Sequence, residues 1–197
     1  SVARGEYLAF LDGDDFYIDK RLQYIKYALL DNKPDCLIID FNYYWDDHSS
    51  VPNGRPYYGL VPKQLTFYSD EILSGVYRTA QVYPWRHIFK TSIWRKHSHP
   101  WGRTYEDVST IPLFVSECTS FFYLPLALIQ YRQRDGSIMK IKSYDNVIHL
   151  SASLSYVTNE LKDKYTQIPE CIALEHSIFN LYLFTWACGD SLSNSRL

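Results

Sequence analysis

The sequence predicts an α/β fold in which helices flank a mixed sheet. An apolar, partly aromatic run at 7–11 has the length of a buried strand, and a second apolar run lies at 36–41. Between them, residues 19–32 carry apolar side chains at helical spacing, and Asp19 can cap that helix. Because a strand, a helix and a strand in succession normally form a right-handed crossover, we expect the two strands to be parallel neighbours.

Charge and composition argue against two classes of protein. The 197-residue chain has a net charge of −2, which gives no electrostatic basis for binding nucleic acid. It contains no apolar run long enough to span a membrane. The cysteines are widely spaced in apolar surroundings, which favours buried, reduced thiols in a cytoplasmic protein. They are Cys36, Cys118, Cys171 and Cys188.

The middle of the chain predicts turns and short elements. Residues 45–62 are polar and predict a loop, or a hairpin built around Asn53-Gly54. The following residues predict a short helix at 69–75, a strand at 85–89 and a helical turn that begins at Thr91.

Two later elements contain a proline. Residues 106–115 predict a helix in which Pro112 must occupy a kink or lie near an end. Residues 120–124 and 127–131 predict two strands that Pro125 separates, and we expect an antiparallel or edge pair.

The character of the chain changes after Ser143. Helical patterns at 144–165 and 169–188 predict a C-terminal helical hairpin that packs on the sheet domain or on a partner. The sequence therefore predicts a sheet domain at 1–142 and a helical segment at 143–197 that packs on it.

The most informative residues are the three carboxylates that end the first predicted strand, Asp12, Asp14 and Asp15. A turn needs only one Asp or Gly, and three like charges repel each other. A solvated surface turn is one interpretation, whereas the following helix argues against a hairpin and the spacing does not suit an EF-type calcium loop. An Asp-x-Asp site for Mg²⁺ or Mn²⁺, with positions open for diphosphate oxygens and water, fits best.

Three segments resemble family 2 glycosyltransferases with the GT-A fold. Residues 5–15 are similar to the metal-binding segment of that family, and Tyr105-Glu106-Asp107 resembles its Glu-Asp motif. Residues 131–139 resemble the closing segment, in which a basic, flexible loop covers the diphosphate. The three motifs occur in the expected order. The resemblance implies a GT-A-like mixed sheet, and the terminal helices lie outside the shared pattern.

The resemblance implies roles for the acidic residues. Asp14 would bind the metal directly, Asp12 would contact the ribose or complete the metal's ligand shell, and Asp15 would support the site. Asp107 would be the catalytic base of inverting transfer, with Glu106 as the alternative. The two residues could instead serve only to favour the dipole of the helix that they begin.

The resemblance also implies roles for the basic loop. Arg132 and Arg134 would clamp phosphate oxygens, because guanidinium groups match phosphate geometry. Gly136 would be the hinge of the loop. Solvated charges at a strand edge are the other interpretation of the two arginines. Core packing is favoured over sugar stacking for three tryptophans near the predicted acceptor pocket, Trp85, Trp94 and Trp101.

The implied function is that of an inverting, metal-dependent hexosyltransferase. It would move a sugar from a nucleoside diphosphate sugar to a glycan or lipid-linked acceptor, in synthesis of a bacterial surface or capsular polysaccharide. The protein would act in the cytoplasm or peripherally at the inner face of the membrane. A non-catalytic carbohydrate-binding or scaffold protein is the alternative, and a sugar-phosphate nucleotidyltransferase would need a Gly-rich loop near the start.

The sequence departs from the family at its beginning. The family's opening strand and the strands that hold the nucleotide base have no counterpart before Ser1. The resemblance therefore implies a GT-A domain truncated at the N-terminus, with little or no transferase activity by this chain alone. We also expect an exposed sheet edge that invites a homodimer.

Overall fold

The computed structural model describes residues 3–54, 57, 59–68, 70–79, 81–97, 102, 104–134 and 144–163. Its first half contains β1 (Tyr7–Leu8), β2 (Phe16–Tyr17), α1 (Leu22–Asn32), β3 (Cys36–Tyr44), β4 (Ser50–Pro52), β5 (Leu65–Phe67) and α2 (Asp70–Thr79). A short 3-10 helix (Pro84–Arg86) precedes β6 (His87–Lys90), α3 (Thr91–Trp94), α4 (Glu106–Glu117), β7 (Ser120–Arg132) and α5 (Tyr144–Leu161).

The described strands form one mixed sheet with the order β1-β6-β3-β7-β2. Strands β3 and β7 run parallel, and the other pairs are antiparallel. The prediction that the first two long apolar runs are adjacent is wrong, because β6 lies between β1 and β3. Phe89 of β6 is the register partner of both Leu8 and Cys36. Strands β1 and β3 nevertheless point the same way, since each is antiparallel to β6.

Strand β7 corrects the prediction of two short strands. It is continuous from Ser120 to Arg132 and lies inside the sheet. Ile39 pairs with Leu124 and the next residue, Asp40, pairs with Ala127, so Pro125 and Leu126 form a bulge. A bulge leaves residues outside the ladder, and proline, which has no N–H to donate, is tolerated at such a position.

Three boundaries also differ from the prediction. The β3–β4 hairpin turns at 45–49, where the Trp45 N–H donates to the Ser49 carbonyl, and not at Asn53-Gly54. Helix α2 continues past Gly75 to Thr79. Helix α1 begins at Leu22, because Lys20 has a φ of 61° and ends any helical conformation that starts at Asp19.

The sheet separates two core layers. Alternate side chains of β3 point to opposite faces, so Cys36 and Ile38 join one layer while Leu37, Ile39 and Phe41 join the other. Helices α2 to α5 contribute to the first layer and α1 to the second. Cys36 and Cys118 are buried free thiols, as predicted; the other two cysteines lie outside the described residues.

Helix α5 packs against α4 and belongs to the first core layer. Its buried residues recur at helical spacing, as predicted: Leu150, Leu154, Val157 and Leu161. The second predicted helix at 169–188 lies outside the described residues, and the division into 1–142 and 143–197 stays a prediction. Of the helices in the described part of the chain, none is long and apolar enough to cross a membrane.

Candidate functional site

The acidic turn, defined as residues 12–15, lies where three strands end. Strands β1, β3 and β7 point the same way, and Tyr44 at the end of β3 pairs with Arg132 at the end of β7. The turn leads directly into β2, whose residue Phe16 pairs with Gln130 of β7. The acidic turn thus lies at the carboxyl edge of the sheet, which is the edge where open α/β sheets bind ligands.

Asp15 fastens this turn to β7. The backbone N–H of Arg132 donates to Asp15 Oδ1 at 2.9 Å, and the N–H of Asp15 donates to the Asp12 carbonyl at 3.1 Å. Burial raises the pKa of Asp15 to about 6 although the hydrogen bond from Arg132 opposes that shift. The second oxygen of Asp15 is buried and has no hydrogen-bond partner among the described residues.

The two arginines of the predicted clamp have different partners. The Arg134 guanidinium forms an ion pair with Asp14 in the acidic turn. The Arg132 guanidinium donates to Asp46 Oδ1 at 2.7 Å, in the turn between β3 and β4. Only Arg134 therefore brings its positive charge directly to the acidic turn. Asp46 was not among the predicted site residues, because nothing local marks it as a partner of β7.

Asp12 lies between the acidic turn and a buried aromatic cluster. The indole N–H of Trp85 donates a hydrogen bond to Asp12, which lowers the pKa of that carboxyl. Burial, followed by the charges of Asp14 and Glu106, acts in the opposite direction and outweighs this hydrogen bond, so the pKa of Asp12 is raised. Trp85 is buried and stacks on Tyr83 with 4.9 Å between ring centroids. The favoured interpretation of Trp85 as a core residue is confirmed, whereas its hydrogen bond to Asp12 was not foreseen.

Glu106 and Asp107 occupy the first turn of α4. The Val108 N–H donates to Asp107 Oδ1 at 2.9 Å. Burial, followed by the charges of Glu106 and Asp12, raises the pKa of Asp107 to about 7. The charge of Asp12 contributes to the raised pKa of Asp107, and the charge of Glu106 to the raised pKa of Asp12, so the Glu106-Asp107 pair and the acidic turn influence each other electrostatically.

The donor set suits a hard divalent cation. Carboxylate oxygens are the ligands that Mg²⁺ and Mn²⁺ prefer, and the charges of Asp14 and Glu106 add to burial in raising the pKa of Asp12. In the described part of the chain, no three His, Cys, Asp or Glu side chains are grouped closely enough to hold a metal. A site with two carboxylates, Asp14 and Asp12, would take its other ligands from phosphate and water.

Of the other predicted residues, Gly136 and Trp101 lie outside the described residues, and Trp94 is buried in the core. The roles assigned to the carboxylates and to both arginines stay predictions.

Comparison with known proteins gives matches among solved structures. No protein-family model matches the chain, and no curated protein matches it. S. aureus TarS 1–349 in complex with UDP-GlcNAc matches at 18% identity over 81% of this chain and 43% of that chain, with a TM-score of 0.60. S. aureus TarS 1–349 matches at 16% identity over 90% and 49%, again with a TM-score of 0.60.

The chain spans less than half the length of these TarS chains. At such low identity the likeness concerns the fold, a curled mixed sheet with helices on both faces. TarS is a glycosyltransferase. The predicted GT-A-like fold class is therefore confirmed: this chain has the α/β fold of the TarS glycosyltransferase structures.

Proposed function

We propose that this chain is part of an inverting, metal-dependent glycosyltransferase that uses a nucleoside diphosphate sugar. The observation that carries the proposal concerns Asp107, a carboxyl with a pKa raised to about 7. The charge of Asp12 in the acidic turn is one of the causes of that raised pKa. The shared fold supports it, because a TarS structure of that fold holds UDP-GlcNAc. Sugar transfer requires both a base and a site for the leaving diphosphate.

The acidic turn would receive the diphosphate end of the donor. Asp14 and Asp12 would hold Mg²⁺ or Mn²⁺, and the bound cation would stabilise the negative charge of the leaving diphosphate. Asp15 keeps the turn attached to β7 through the Arg132 N–H. Arg134, freed from Asp14, would contribute its guanidinium to the phosphate oxygens.

Asp107 would act on the acceptor. Its Oδ1 accepts the hydrogen bond from Val108, so Oδ2 is the oxygen that would take the hydroxyl proton. As that proton leaves, the acceptor oxygen forms its bond to the anomeric carbon while the bond from this carbon to the diphosphate oxygen breaks. A pKa near 7 suits a group that must accept a proton at neutral pH.

The partners follow from this chemistry. The donor is a nucleotide sugar, and the acceptor is a hydroxyl of a glycan or of a lipid-linked sugar. We place the reaction in bacterial surface polysaccharide synthesis, in the cytoplasm or peripherally at the inner face of the membrane. Association as a homodimer belongs to the same proposal.

The test is a screen of nucleotide sugars on the full-length protein to which this chain belongs, beginning with UDP-GlcNAc, by calorimetry with and without Mn²⁺. We expect Asp14→Asn to abolish Mn²⁺-dependent binding. Asp107→Asn should retain binding and lower turnover by about 10²- to 10⁴-fold, the usual contribution of a general base. Asp31→Asn, the same chemical change on the exposed side of α1, is the matched control.

Two results would contradict the proposal. Mn²⁺-dependent binding that persists in Asp14→Asn would contradict Asp14 as a metal ligand. Unchanged turnover in Asp107→Asn would contradict Asp107 as the catalytic base. Sugar binding without any turnover by the unmodified full-length protein would favour the non-catalytic carbohydrate-binding alternative.

A further inference from the structure

Helix α5 contacts the residues that precede the Glu106-Asp107 pair. The backbone N–H of Thr104 donates to His149 Nδ1 at 3.3 Å, and the Thr104 hydroxyl lies 3.1 Å from the same nitrogen. The hydroxyl also lies 3.4 Å from Asn146 Oδ1, one helical turn earlier on α5. An imidazole nitrogen accepts from an amide only when it carries no proton, so His149 must hold its proton on Nε2 here.

The start of α4 needs this support. Tyr105, the residue between Thr104 and Glu106, has a φ of 62°, and its side chain makes no capping hydrogen bond to the helix. Left-handed backbone is unfavourable for a residue with a Cβ atom and persists only where the surroundings hold it. Thr104 contacts α5, and α5 is itself anchored in the core layer that contains α4 through Val157 and Leu161.

We propose that His149 is a positioning residue of the site: by holding Thr104 it fixes the conformation of Tyr105 and thereby the direction of the Asp107 carboxyl. Helix α5 then contributes to the functional site, although the three sequence motifs all lie before it in the chain. The proposal rests on the proposed role of Asp107 as the base.

The experiment compares two substitutions at one position. His149→Ala removes the acceptor, whereas His149→Asn keeps an acceptor oxygen close to the place of Nδ1. Ile148→Ala, which shortens the neighbouring exposed side chain of α5, is the matched control. Hydrogen exchange of the amides of residues 105–108 reports the conformation without depending on activity. Turnover and the KM for the nucleotide sugar, measured in the full-length protein, report the effect of that conformation on catalysis.

For His149→Ala, we expect these amides to exchange at least about tenfold faster, because the local opening that exposes them becomes easier. We expect kcat to fall by about tenfold or more while KM stays constant, because a displaced base affects the chemical step and not donor binding. His149→Asn should restore both quantities toward those of the unmodified protein, and Ile148→Ala should alter neither.

Unchanged exchange in His149→Ala would overturn the inference. Faster exchange that His149→Asn rescues, with turnover unaffected throughout, would support the contact as a positioning device but contradict Asp107 as the base. If His149→Ala does not fold, the pair Thr104→Val and Thr104→Ser tests the same contact from its other side. Only the valine variant should then show faster exchange, and equal exchange in the two would overturn the inference.

Discussion

At the scale of single residues, the site gathers carboxylates at a cost to stability. Asp12, Asp15 and Asp107 all have raised pKa values, and burial is the largest cause for each. Like charges nearby add to the effect. The folded chain therefore favours their protonated forms more than the unfolded chain does. Groups maintained at such a cost are typical of functional sites, where stability is given up for chemistry.

The first prediction concerns Asp107 and pH. Its pKa rises from 3.8 to about 7 on folding, so between these values the folded chain holds a proton that the unfolded chain has lost. Stability from this group is therefore present at low pH and is lost as pH rises toward 7. We expect Asp107→Asn, in the presence of EDTA, to raise the free energy of unfolding at about pH 8 by on the order of 2–4 kcal/mol.

The increase in the free energy of unfolding caused by Asp107→Asn should be much smaller at about pH 5, where most of the native Asp107 is protonated. Urea unfolding at both pH values measures the difference, and Asp31→Asn controls for the loss of a charge at an exposed position. An equal effect of Asp107→Asn at both pH values would show that Asp107 ionises normally.

The second prediction concerns Arg134 and cations. Because Arg134 pairs with Asp14, a divalent ion that binds Asp14 must displace a positive charge already present. We expect Arg134→Gln to bind Mn²⁺ about two- to fivefold more tightly, which corresponds to the usual strength of an exposed ion pair. Isothermal titration without nucleotide measures this affinity. Lys96→Gln, which removes an equal charge from a pair with Glu117, is the control. Weaker binding by the Arg134 variant would contradict the competition.

Residue types alone indicated which carboxylates would gather, but not how they are held. The Asp12-Gly13-Asp14-Asp15 and Glu106-Asp107 patterns identified both acidic groups of the site. The contacts that fix them come from Trp85, Asp46 and His149, which lie far away in the chain. Such partners depend on the folded arrangement, and no local pattern marks them.

At the scale of elements, local signals predicted helices better than strand neighbours. The helical turn at Thr91 and the helix that begins at Glu106 agree with the prediction, because helical preferences act over a few residues, although neither helix has a side-chain cap. Strand pairing joins distant residues, so the insertion of β6 between β1 and β3 could not be inferred. Pro125 predicts a break because proline has no N–H to donate to the ladder, whereas in the structure a bulge accommodates it within one strand.

The third prediction concerns Asp35, which connects the beginnings of β3 and β7 to the end of β6. Its carboxylate accepts from Lys90 Nζ at 2.8 Å and from the N–H and hydroxyl of Thr119, at 2.8 and 2.6 Å. These hydrogen bonds lower the pKa of Asp35 even though burial alone would raise it. We expect Asp35→Ala to cost about 1.5–3 kcal/mol at neutral pH, because several donors lose a charged acceptor.

Because the folded pKa of Asp35 is depressed, its contribution is present above the ordinary value of 3.8 and disappears as pH falls below it. The difference in unfolding free energy between Asp35→Ala and the unmodified chain should therefore shrink in acid. Urea unfolding at about pH 7 and about pH 3.5 gives the comparison. A constant difference would mean that the carboxylate charge is not what stabilises the junction.

At the scale of the whole molecule, a buried arginine connects the two core layers. The Arg86 guanidinium lies 5.8 Å from the ring centre of Phe41, which belongs to one layer, and 5.2 Å from that of Tyr57, which belongs to the other. It donates to Asp40 Oδ1 at 2.6 Å, and the Tyr123 hydroxyl donates to the second Asp40 oxygen. The Arg86 guanidinium thus forms an ion pair with Asp40 and contacts an aromatic ring in each core layer.

The fourth prediction concerns this arginine. Arg86→Ala should lower the free energy of unfolding by about 3–5 kcal/mol, because it leaves the Asp40 charge without its partner. The double variant Arg86→Met with Asp40→Asn removes both charges, keeps an acceptor for Tyr123, and should lose clearly less. Unfolding of the two variants in guanidinium chloride separates the effect of the unpaired Asp40 charge from the effect of the lost side-chain volume. A double variant as unstable as Arg86→Ala would show that packing, and not pairing, dominates.

The distance along the chain between Asp15 and Arg132 has a consequence for the order of events during synthesis. Strand β1 cannot pair before residues 87–90 exist, and Asp15 cannot receive its hydrogen bond before Arg132 has left the ribosome. Between the acidic turn and residue 52, α1 and the β3–β4 hairpin can already form from neighbouring residues. Contacts of such long range close slowly. The acidic turn is made well before its partner strand β7 and takes its final shape only after β7 has formed.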